Sequence, residues 1–385
     1  MVVTLPFVLL LLDYWPLGRT RWAEPVVGGN VTAPPNRLLV EKLPLFALAA
    51  ASGLVTLWGQ RTVGATDFAR VPPLGMKIAN APLSYVGYIG KTVWPTGLAV
   101  FYPLPPGLSA TAVMGAGVGL IVVTAAVIGG ARRRPWLVTG WFWYLGMLVP
   151  VIGLLQGAGE SMADRFTYLP SIGLLIMLCW SVPSRAMERW NLKVITCIAA
   201  AAVVAVCAAL SRVQLGYWKN SETLFRHALD VTRDNWLAHC NLARASEQAG
   251  RIQDAISHYE QALQISPDFA KVHNNLGNAL LASGKTQEAI GHFEQALRLR
   301  PDLAGVRNNL AAALAEAGRL PEAIERFDQV VRITPGDAEA HYNLGLALAQ
   351  AGRIPEAIEH LEQALRIKPD FTEARNALAR LQPRQ

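Results

Sequence analysis

The chain has 385 residues, which is room for two or three domains. Its residues are 52% apolar and only 16% charged, which excludes a soluble repeat protein alone. The net charge of +7 divides unevenly: residues 1–213 hold 16 Lys and Arg against 7 Asp and Glu (+9), and residues 214–385 hold 19 against 21 (−2). Basic residues beside apolar segments are typical of membrane topology signals, so we favour that interpretation over nucleic-acid binding.

Apolar segments in residues 1–213 predict six membrane-spanning helices. The predicted spans are 1–17, 43–59, 110–130, 136–156, 167–183 and 193–213. Residues 1–12 lack the basic start and the small-residue cleavage site of a signal peptide, which favours a span there. The segment 60–107 is only partly apolar and is broken by prolines, so we expect it to be interfacial or re-entrant.

Basic residues between the spans predict their orientation. Arg132–Arg134 follow the third span and should be cytoplasmic. Counting alternately, the basic segments 19–42 and 184–193 are then cytoplasmic as well. The sixth span exits on the opposite side. We therefore expect an integral protein of a bacterial inner membrane whose part after residue 213 is extracytoplasmic, which means periplasmic in a Gram-negative bacterium.

The C-terminal part contains a four-fold repeat with a period of 34 residues. The repeated positions are Pro267, Pro301, Pro335 and Pro369; Gly250, Gly284, Gly318 and Gly352; and Ala255, Ala289, Ala323 and Ala357. This period is that of the tetratricopeptide repeat (TPR), a pair of antiparallel helices A and B. The predicted repeats are 236–269, 270–303, 304–337 and 338–371. In the first, helix A should span about 236–248 and helix B about 252–265.

Partial repeats flank this array. Residues 214–235 resemble a helix B without its helix A, because Phe225 stands 34 residues before Tyr259. The sixth span takes the place of that helix A, so we expect it to continue into the array with little linker and to hold the array rigidly. Residues 372–385 predict a C-terminal capping helix. The predicted fold class is all-α: a polytopic transmembrane helical bundle followed by a TPR α-solenoid.

One asparagine recurs in helix A of every repeat. These residues are Asn241, Asn275, Asn309 and Asn343, and we call them the asparagine column. An asparagine amide offers donors and an acceptor that match a peptide unit. Because helix A lines the concave face of a TPR superhelix, the column predicts a groove that binds extended polypeptide by its backbone. The alternative is that these asparagines only pack within the repeat or persist through duplication.

A second cluster of polar residues lies between the fourth and fifth spans. Glu160, Asp164 and Arg165 would be costly at a membrane boundary unless they are paired or used. Arg165 is suited to bind a phosphate and either carboxylate could orient it, which predicts a lipid-phosphate site. Lys77 and Lys91 lie on the same predicted side of the membrane as this cluster and could join the phosphate site. The alternative is an ordinary loop whose charges lie in water.

Other reactive residue types predict no further site. The four cysteines lie in apolar runs or in a repeat helix without metal-ligand spacing, and they indicate no disulfide framework. The seven histidines are interpreted as ordinary residues at helical surface positions, without the spacing of a metal site. Neither a metal site nor a glycine-rich phosphate loop is predicted.

Several motifs resemble a known group of proteins. Residues 88–95 (YIGKTVWP), 101–103 (FYP) and 163–173 (ADRFTYLPSIG), followed by the repeats, resemble the transmembrane-and-TPR (TMTC) proteins and their bacterial relatives. Residues 5–17 resemble an internal span of the same group. The resemblance implies a GT-C glycosyltransferase fold and protein O-mannosylation from a polyprenyl-phosphate sugar, the one cofactor-like molecule that we expect.

The same resemblance bears on catalysis. In GT-C enzymes the catalytic acidic residue lies in the first extracytoplasmic loop, and this chain matches the group only beyond that point. We therefore expect no catalytic residue in this chain, which would be the C-terminal part of such a transferase. The alternatives are a non-enzymatic membrane-anchored TPR scaffold and a component of envelope polysaccharide or protein export. Polypeptide and membrane lipid are the expected partners, and nucleic acid is not.

Overall fold

The computed structural model describes most of the chain. The described residues are 4–19, 34–62, 73–105, 107–152, 160–182 and 190–382, without the side chains of residues 35, 57, 60–62 and 160. The predictions for segments 20–33, 153–159 and 183–189 therefore lie outside the described residues. The chain divides into two compact units, residues 1–238 and 239–385, and each is described by itself.

The first unit is mostly helical. Its helices, in the described residues, are α1 (Leu5–Tyr14), α2 (Pro35–Thr62), α3 (Leu74–Val93), α4 (Ala110–Gly129), α5 (Pro135–Leu148), α6 (Tyr168–Trp180), α7 (Trp190–Tyr217) and α8 (Ser221–Val231). Two short strands, β1 (Tyr102–Pro103) and β2 (Glu160–Met162), pair antiparallel with Tyr102 opposite Met162. A single 3-10 turn over Asp164–Phe166 follows β2. The pairing brings together the two loops that precede α4 and α6.

Three helices in the described residues are long and apolar enough to cross a membrane. They are α4, α7 and the part of α2 over Asn36–Thr56, whereas α1 and α6 are apolar but shorter. Large apolar side chains on α4 and α7, such as Ile121 and Val204, are exposed. Such surfaces are expected to face lipid. Segment 60–107, predicted as interfacial or re-entrant, contains the 20-residue helix α3.

The start of α2 is polar and joins an ion-pair cluster. The helix begins at Pro35 rather than at residue 43, the predicted start of the second span. Lys42 Nζ lies 2.6 Å from Asp13 Oδ2, and Arg19 Nη1 lies 3.0 Å from Asp13 Oδ1. Asp13 is almost fully buried, and a buried carboxylate is tolerated when cations and hydrogen bonds compensate for its lost hydration. Residues at both ends of the predicted 19–42 loop therefore meet at one carboxylate.

Helices α5 and α6 pack closely against each other. The contact occurs where Gly140 faces Gly173, because a Cβ on either residue would collide with the carbonyl oxygen of the other. Small residues allow such close approach of helix backbones. Tyr88, Trp141 and Tyr144 form the buried cluster beside this contact. The α5–α6 pair thus fixes the position of the loop between them, which contains Asp164.

The second unit is a series of antiparallel helix pairs. Helix α9 (Trp236–Gln248) begins in the first unit and continues into the second. The following helices are α10 (Ile252–Ile265), α11 (Ala270–Ala282), α12 (Thr286–Leu299), α13 (Ala304–Glu316), α14 (Leu320–Ile333), α15 (Ala338–Gln350), α16 (Ile354–Ile367) and α17 (Thr372–Leu381). The predicted bounds of the first helix pair are confirmed.

Glycine ends each helix A because the chain must turn with positive φ. Gly250, Gly284, Gly318 and Gly352 have φ between +73° and +80°, a region that favours glycine. At Gly284, Lys285 N donates to Leu280 O and Gly284 N donates to Leu281 O, both at 2.9 Å. These two bonds satisfy carbonyls that the helix end would leave without partners.

A small residue on each helix A admits a large residue of helix B. Gly277 faces the ring of Phe293, and a Cβ there would lie 2.6 Å from the ring. Phe293 is fully buried. The equivalent small residues in the other repeats are Ala243, Ala311 and Gly345. The all-α architecture and the repeat solenoid are therefore as predicted.

Candidate functional sites: a polar groove and an asparagine column

A groove of about 550 Å³ lies in the first unit, between the loop that follows α3 and the C-terminal half of α7. We call it the polar groove. Its polar lining includes Lys91, Thr92, Asp164, Thr167, Ser171, Ser211 and Gln214. Its apolar lining includes Leu98, Leu210 and Leu215. A mostly apolar cleft with a few converging polar groups is the usual form of a ligand site.

Asp164 is the half-buried acid of this groove. Its Oδ2 accepts hydrogen bonds from Ala99 N at 2.7 Å and from the Tyr102 hydroxyl at 2.9 Å. Its Oδ1 is also buried, and it has no hydrogen-bond partner among the described residues. An unsatisfied buried oxygen costs free energy unless a ligand supplies a partner. Asp164 therefore brings an oxygen without a described hydrogen-bond partner to the lining of the polar groove.

Burial raises the pKa of the Asp164 carboxyl above its usual range, and the hydrogen bonds from Tyr102 and Ala99 offset only part of this effect. The native chain therefore holds this proton more tightly than the unfolded chain does. The Asp164 carboxyl therefore lowers the free energy of unfolding as pH rises. This loss begins near the ordinary pKa of an aspartate and continues through the raised pKa of the native chain. Burial also raises the pKa of Tyr102, so its hydroxyl remains a donor at neutral pH.

Lys91 is the cation of the polar groove. Its Nζ donates to Thr96 O and to Gly97 O, each at 2.8 Å, and lies 5.4 Å from the centre of the Tyr102 ring. An ammonium has three N–H donors, so two such bonds leave one. Because α3 ends at Val93, the side chain reaches the loop that follows its own helix. This geometry holds a positive charge at the groove wall.

Of the other two predicted phosphate-site residues, Arg165 does not line the groove. Arg165 is exposed, donates from Nη1 to Val100 O at 2.9 Å and lies over the Phe166 ring at 4.8 Å. Glu160 belongs to β2, and its side chain lies outside the described residues. Of the predicted residues the structure brings Asp164 and Lys91 to one groove. Tyr102 was missed, although it lies within the quoted FYP motif.

Helix α8 and the residues after it support the groove loop. The His227 imidazole donates from Nε2 to Leu98 O at 3.1 Å, and Asn235 Nδ2 donates to Phe101 O at 3.3 Å. The rings of Phe101 and Trp236 meet edge to face, 6.0 Å apart. The partial repeat predicted for residues 214–235 is thus a structural part of the groove wall.

The asparagine column is linked to neighbouring amides. Asn309 Nδ2 donates to Asn274 Oδ1 at 2.9 Å, and Asn274 Nδ2 donates to Asn275 Oδ1 at 3.3 Å. Asn343 Nδ2 donates to Asn308 Oδ1 at 3.2 Å. The bonds Asn309–Asn274 and Asn343–Asn308 cross from one helix A to the next, and the bond Asn274–Asn275 lies within one helix.

The column residues are half-buried and keep hydrogen-bonding capacity. Each side-chain amide has two N–H donors and an oxygen with two lone pairs, and the bonds above use only some of them. Asn241 also makes polar interactions of its own. The row therefore both packs between repeats and presents amide groups, so the two interpretations of the column are compatible.

Comparison with known proteins identifies the array. Residues 236–302 and 302–370 each match the family model described as Tetratricopeptide repeat. The C-terminal array is a TPR solenoid. Solved structures similar to it include YrrB, titled "a TPR protein with an unusual peptide-binding site" (22% identity, 45% of this chain and 87% of that chain, TM-score 0.38). Another is MamA from Desulfovibrio magneticus RS-1 (23% identity, 38% and 84%, TM-score 0.37).

Partial similarity extends to two curated proteins. The human protein named Protein O-mannosyl-transferase TMTC4 is 26% identical over 142 residues, which are 37% of this chain and 19% of that protein. Its mouse counterpart is 29% identical over 119 residues, or 30% and 16%. The chain thus spans less than a fifth of the length of the curated relatives it matches.

The TPR solenoid corrects the interpretation of the histidines. His273 and His341 are buried rather than at the surface. Each faces a histidine of its own helix B, and His239 does the same. The three pairs are His239–His258, His273–His292 and His341–His360. Within the described ranges, no group of three or more His, Cys, Asp or Glu is placed to hold a metal ion.

Proposed function

We propose that this chain is a membrane-embedded protein whose TPR solenoid binds extended polypeptide and whose polar groove binds the phosphate of a polyprenyl-phosphate sugar. In this role it is the C-terminal part of a GT-C-like protein O-glycosyltransferase. The three long apolar helices and the partial similarity to the O-mannosyl-transferases support the proposal. The observation that carries it is the unpartnered Oδ1 of Asp164 in a groove shared with Lys91.

The chemistry of the groove suits a phosphate monoanion. Lys91 supplies the positive charge through its remaining N–H donor. Burial raises the pKa of Asp164, which lowers the cost of proton uptake as the ligand binds. A carboxyl that takes up this proton donates to a phosphate oxygen instead of repelling it. Arg165 then has a structural role, since it bonds to Val100 O in the loop between α3 and β1, rather than the predicted role of phosphate ligand. Apolar side chains of α7 border the groove and suit the lipid part of the ligand.

Replacing Lys91 with methionine should weaken binding of the lipid phosphate. A hydrogen bond to a charged group contributes about 1.5–3 kcal/mol, so we expect affinity to fall by about 10- to 150-fold. The probe is undecaprenyl phosphate, titrated into the purified full chain in detergent and measured by native mass spectrometry.

Two variants control this measurement. Lys77→Met removes a lysine from the same helix that does not line the groove, and it should bind as the unaltered chain does. Lys91→Arg keeps the charge and should retain most of the affinity. Equal loss in Lys77→Met and Lys91→Met would show that the effect is general charge attraction and would refute the site.

Replacing all four residues of the asparagine column with alanine should weaken peptide binding while helicity stays unchanged. Each lost amide–peptide interaction contributes about 0.5–1.5 kcal/mol, so four should lower affinity by about 30-fold or more. The probe is reduced, carboxymethylated ribonuclease A, a permanently unfolded chain, with binding followed by fluorescence anisotropy and helicity by circular dichroism.

Asn278→Ala is the matched control for the asparagine column. Asn278 is exposed on the same helix as Asn275 but lies outside the column. This variant should bind the unfolded chain with unaltered affinity. If the four-fold variant also binds normally, the column has only a packing role.

The basic segments support an extracytoplasmic TPR solenoid. Protease added to sealed spheroplasts of a Gram-negative host should then digest the repeats, while the cytoplasmic Arg132–Arg134 segment stays protected. Detection uses one antibody epitope after residue 382 and another inserted beside Arg134. Digestion that occurs only after the membrane is broken would reverse the proposed orientation.

A membrane-anchored scaffold is the second candidate. Lys91 and Arg165 both donate hydrogen bonds to main-chain carbonyls of one loop. A purely structural role requires the same bonds, and this observation favours the scaffold. Binding of undecaprenyl phosphate to the full chain distinguishes the two. Peptide binding without lipid-phosphate binding would favour the scaffold.

A further inference from the structure

The three histidine pairs occupy equivalent positions. In each, a histidine of helix A faces the histidine 19 residues later on helix B of the same repeat. Their Nδ1–Nδ1 distances are 3.3 Å in the first repeat, 3.0 Å in the second repeat and 3.1 Å in the fourth repeat. Six of the seven histidines in the sequence take part. The third repeat has Arg307 and Arg326 at these two positions.

The helix A histidines have a fixed tautomer in two of the pairs. His273 Nε2 lies 2.9 Å from Pro267 O, and His341 Nε2 lies 3.2 Å from Pro335 O. A carbonyl only accepts, so Nε2 bears the hydrogen and Nδ1 keeps its lone pair directed at the partner ring. Metal-binding histidines are commonly oriented by this kind of bond to a carbonyl.

The spacing of the nitrogens fits chelation. Two metal–nitrogen bonds of about 2.0–2.1 Å at angles of about 90–110° place their nitrogens about 2.8–3.4 Å apart. All three observed distances fall in this range. The helix B histidines are half-buried, so an ion can reach the pair from solvent. The helix A ring meanwhile keeps a fixed position on the side away from solvent.

Burial lowers the pKa of four of these imidazoles, which favours their neutral form. Burial lowers the pKa of His273 and of His292, and the mutual proximity of the rings lowers that of His292 further. Around this pair Asp268 and Glu288 act in the opposite direction, and Arg298 acts with burial on His273. The neutral imidazole is the form that binds metal.

The His360 site has the same character. Burial and His341 lower the pKa of His360. The carboxylates of Asp328, Glu356 and Glu359 raise it by smaller amounts. In the first repeat, burial and His258 lower the pKa of His239.

We propose that each histidine pair is a binding site for one divalent transition-metal ion that favours imidazole, such as Zn²⁺, Ni²⁺ or Cu²⁺, bound through the two Nδ1 atoms. Water fills the other coordination positions, since the described residues place no third ligand there. Bound metal links helix A to helix B within a repeat, and it therefore stabilises the folded repeat by mass action.

The test is metal titration of the full chain, purified without a polyhistidine tag, treated with chelator and kept in detergent. Isothermal titration calorimetry with Zn²⁺ should give three ions per chain. The variant His273→Arg/His292→Arg copies the residues of the third repeat, so it is expected to fold, and it should bind two. The converse variant Arg307→His/Arg326→His should bind four.

A spectroscopic measurement identifies the ligands. Electron paramagnetic resonance of the Cu²⁺-loaded chain should show hyperfine splitting from two nitrogens per ion. Fewer than three ions in the unaltered chain, or the same stoichiometry in the arginine and histidine variants, would overturn the proposal. The pairs would then be hydrogen-bonded rings only.

Discussion

Gly140→Ala should separate α5 from α6 and lower the thermal stability of the first unit severely. The added methyl group would collide with the carbonyl oxygen of Gly173, and a main-chain atom cannot swing aside as a side chain can. Overpacking of this kind costs about 1–3 kcal/mol even where side chains can adjust, so we expect a larger loss here. Gly173→Ala should be equally harmful, because its Cβ would meet Gly140 O and lie 2.9 Å from Tyr144 N.

The measurement is thermal unfolding in detergent together with the fraction of protein that elutes as a monodisperse species. Gly146→Ala is the matched control, since it lies on the same helix and a Cβ there has no described atom within 4 Å. It should be neutral. Wild-type stability in Gly140→Ala would mean that α5 and α6 are not in contact at these residues.

Phe293→Ala should lower the free energy of unfolding of the TPR solenoid by about 3–5 kcal/mol. Phe293 is fully buried between helices A and B of the second repeat, and Gly277 lies against its ring. Removal of the ring leaves a cavity that the flanking helices cannot fill. Urea unfolding of the full chain, followed by circular dichroism at 222 nm, measures the change.

Two further variants test the reason for this loss. Gly291→Ala lies on the same helix as Phe293, where a Cβ meets open space, and it should be neutral or slightly stabilising. Gly277→Ala should destabilise the unaltered chain but not Phe293→Ala, because the clash is then gone. Equal effects of Gly277→Ala in both backgrounds would contradict the proposed ring contact.

The repeats could be predicted closely because their information is local. A proline, a glycine and an alanine recur in every 34 residues, and each marks a helix end or a helix contact within one repeat. The first helix pair accordingly begins and ends at the predicted residues. The small-residue position at Gly277 belongs to the same local pattern.

The polar groove was harder to predict because its residues are distant in sequence. Asp164 meets Tyr102 and Ala99 across more than 60 residues, through strand pairing that hydropathy does not indicate. Arg165 was predicted as a phosphate ligand from its charge alone, and charge does not indicate the direction in which a side chain points. Lys91, which does line the groove, is positioned by its hydrogen bonds to the loop after α3.

The histidine pairs were missed for a related reason. A separation of 19 residues has no meaning along a single helix, and it indicates contact only once helices A and B are folded against each other. Recurrence of the same separation in three repeats, with arginine at both positions of the remaining one, was the signal in the sequence.

His227 and Asn235 donate hydrogen bonds to the main-chain oxygens of Leu98 and Phe101. These two bonds determine where a shortened chain should end. Cutting after residue 213, where the apolar part of the sequence ends, would remove both of these hydrogen bonds and the Trp236 ring. A truncation intended to keep the polar groove intact should therefore extend at least through Trp236.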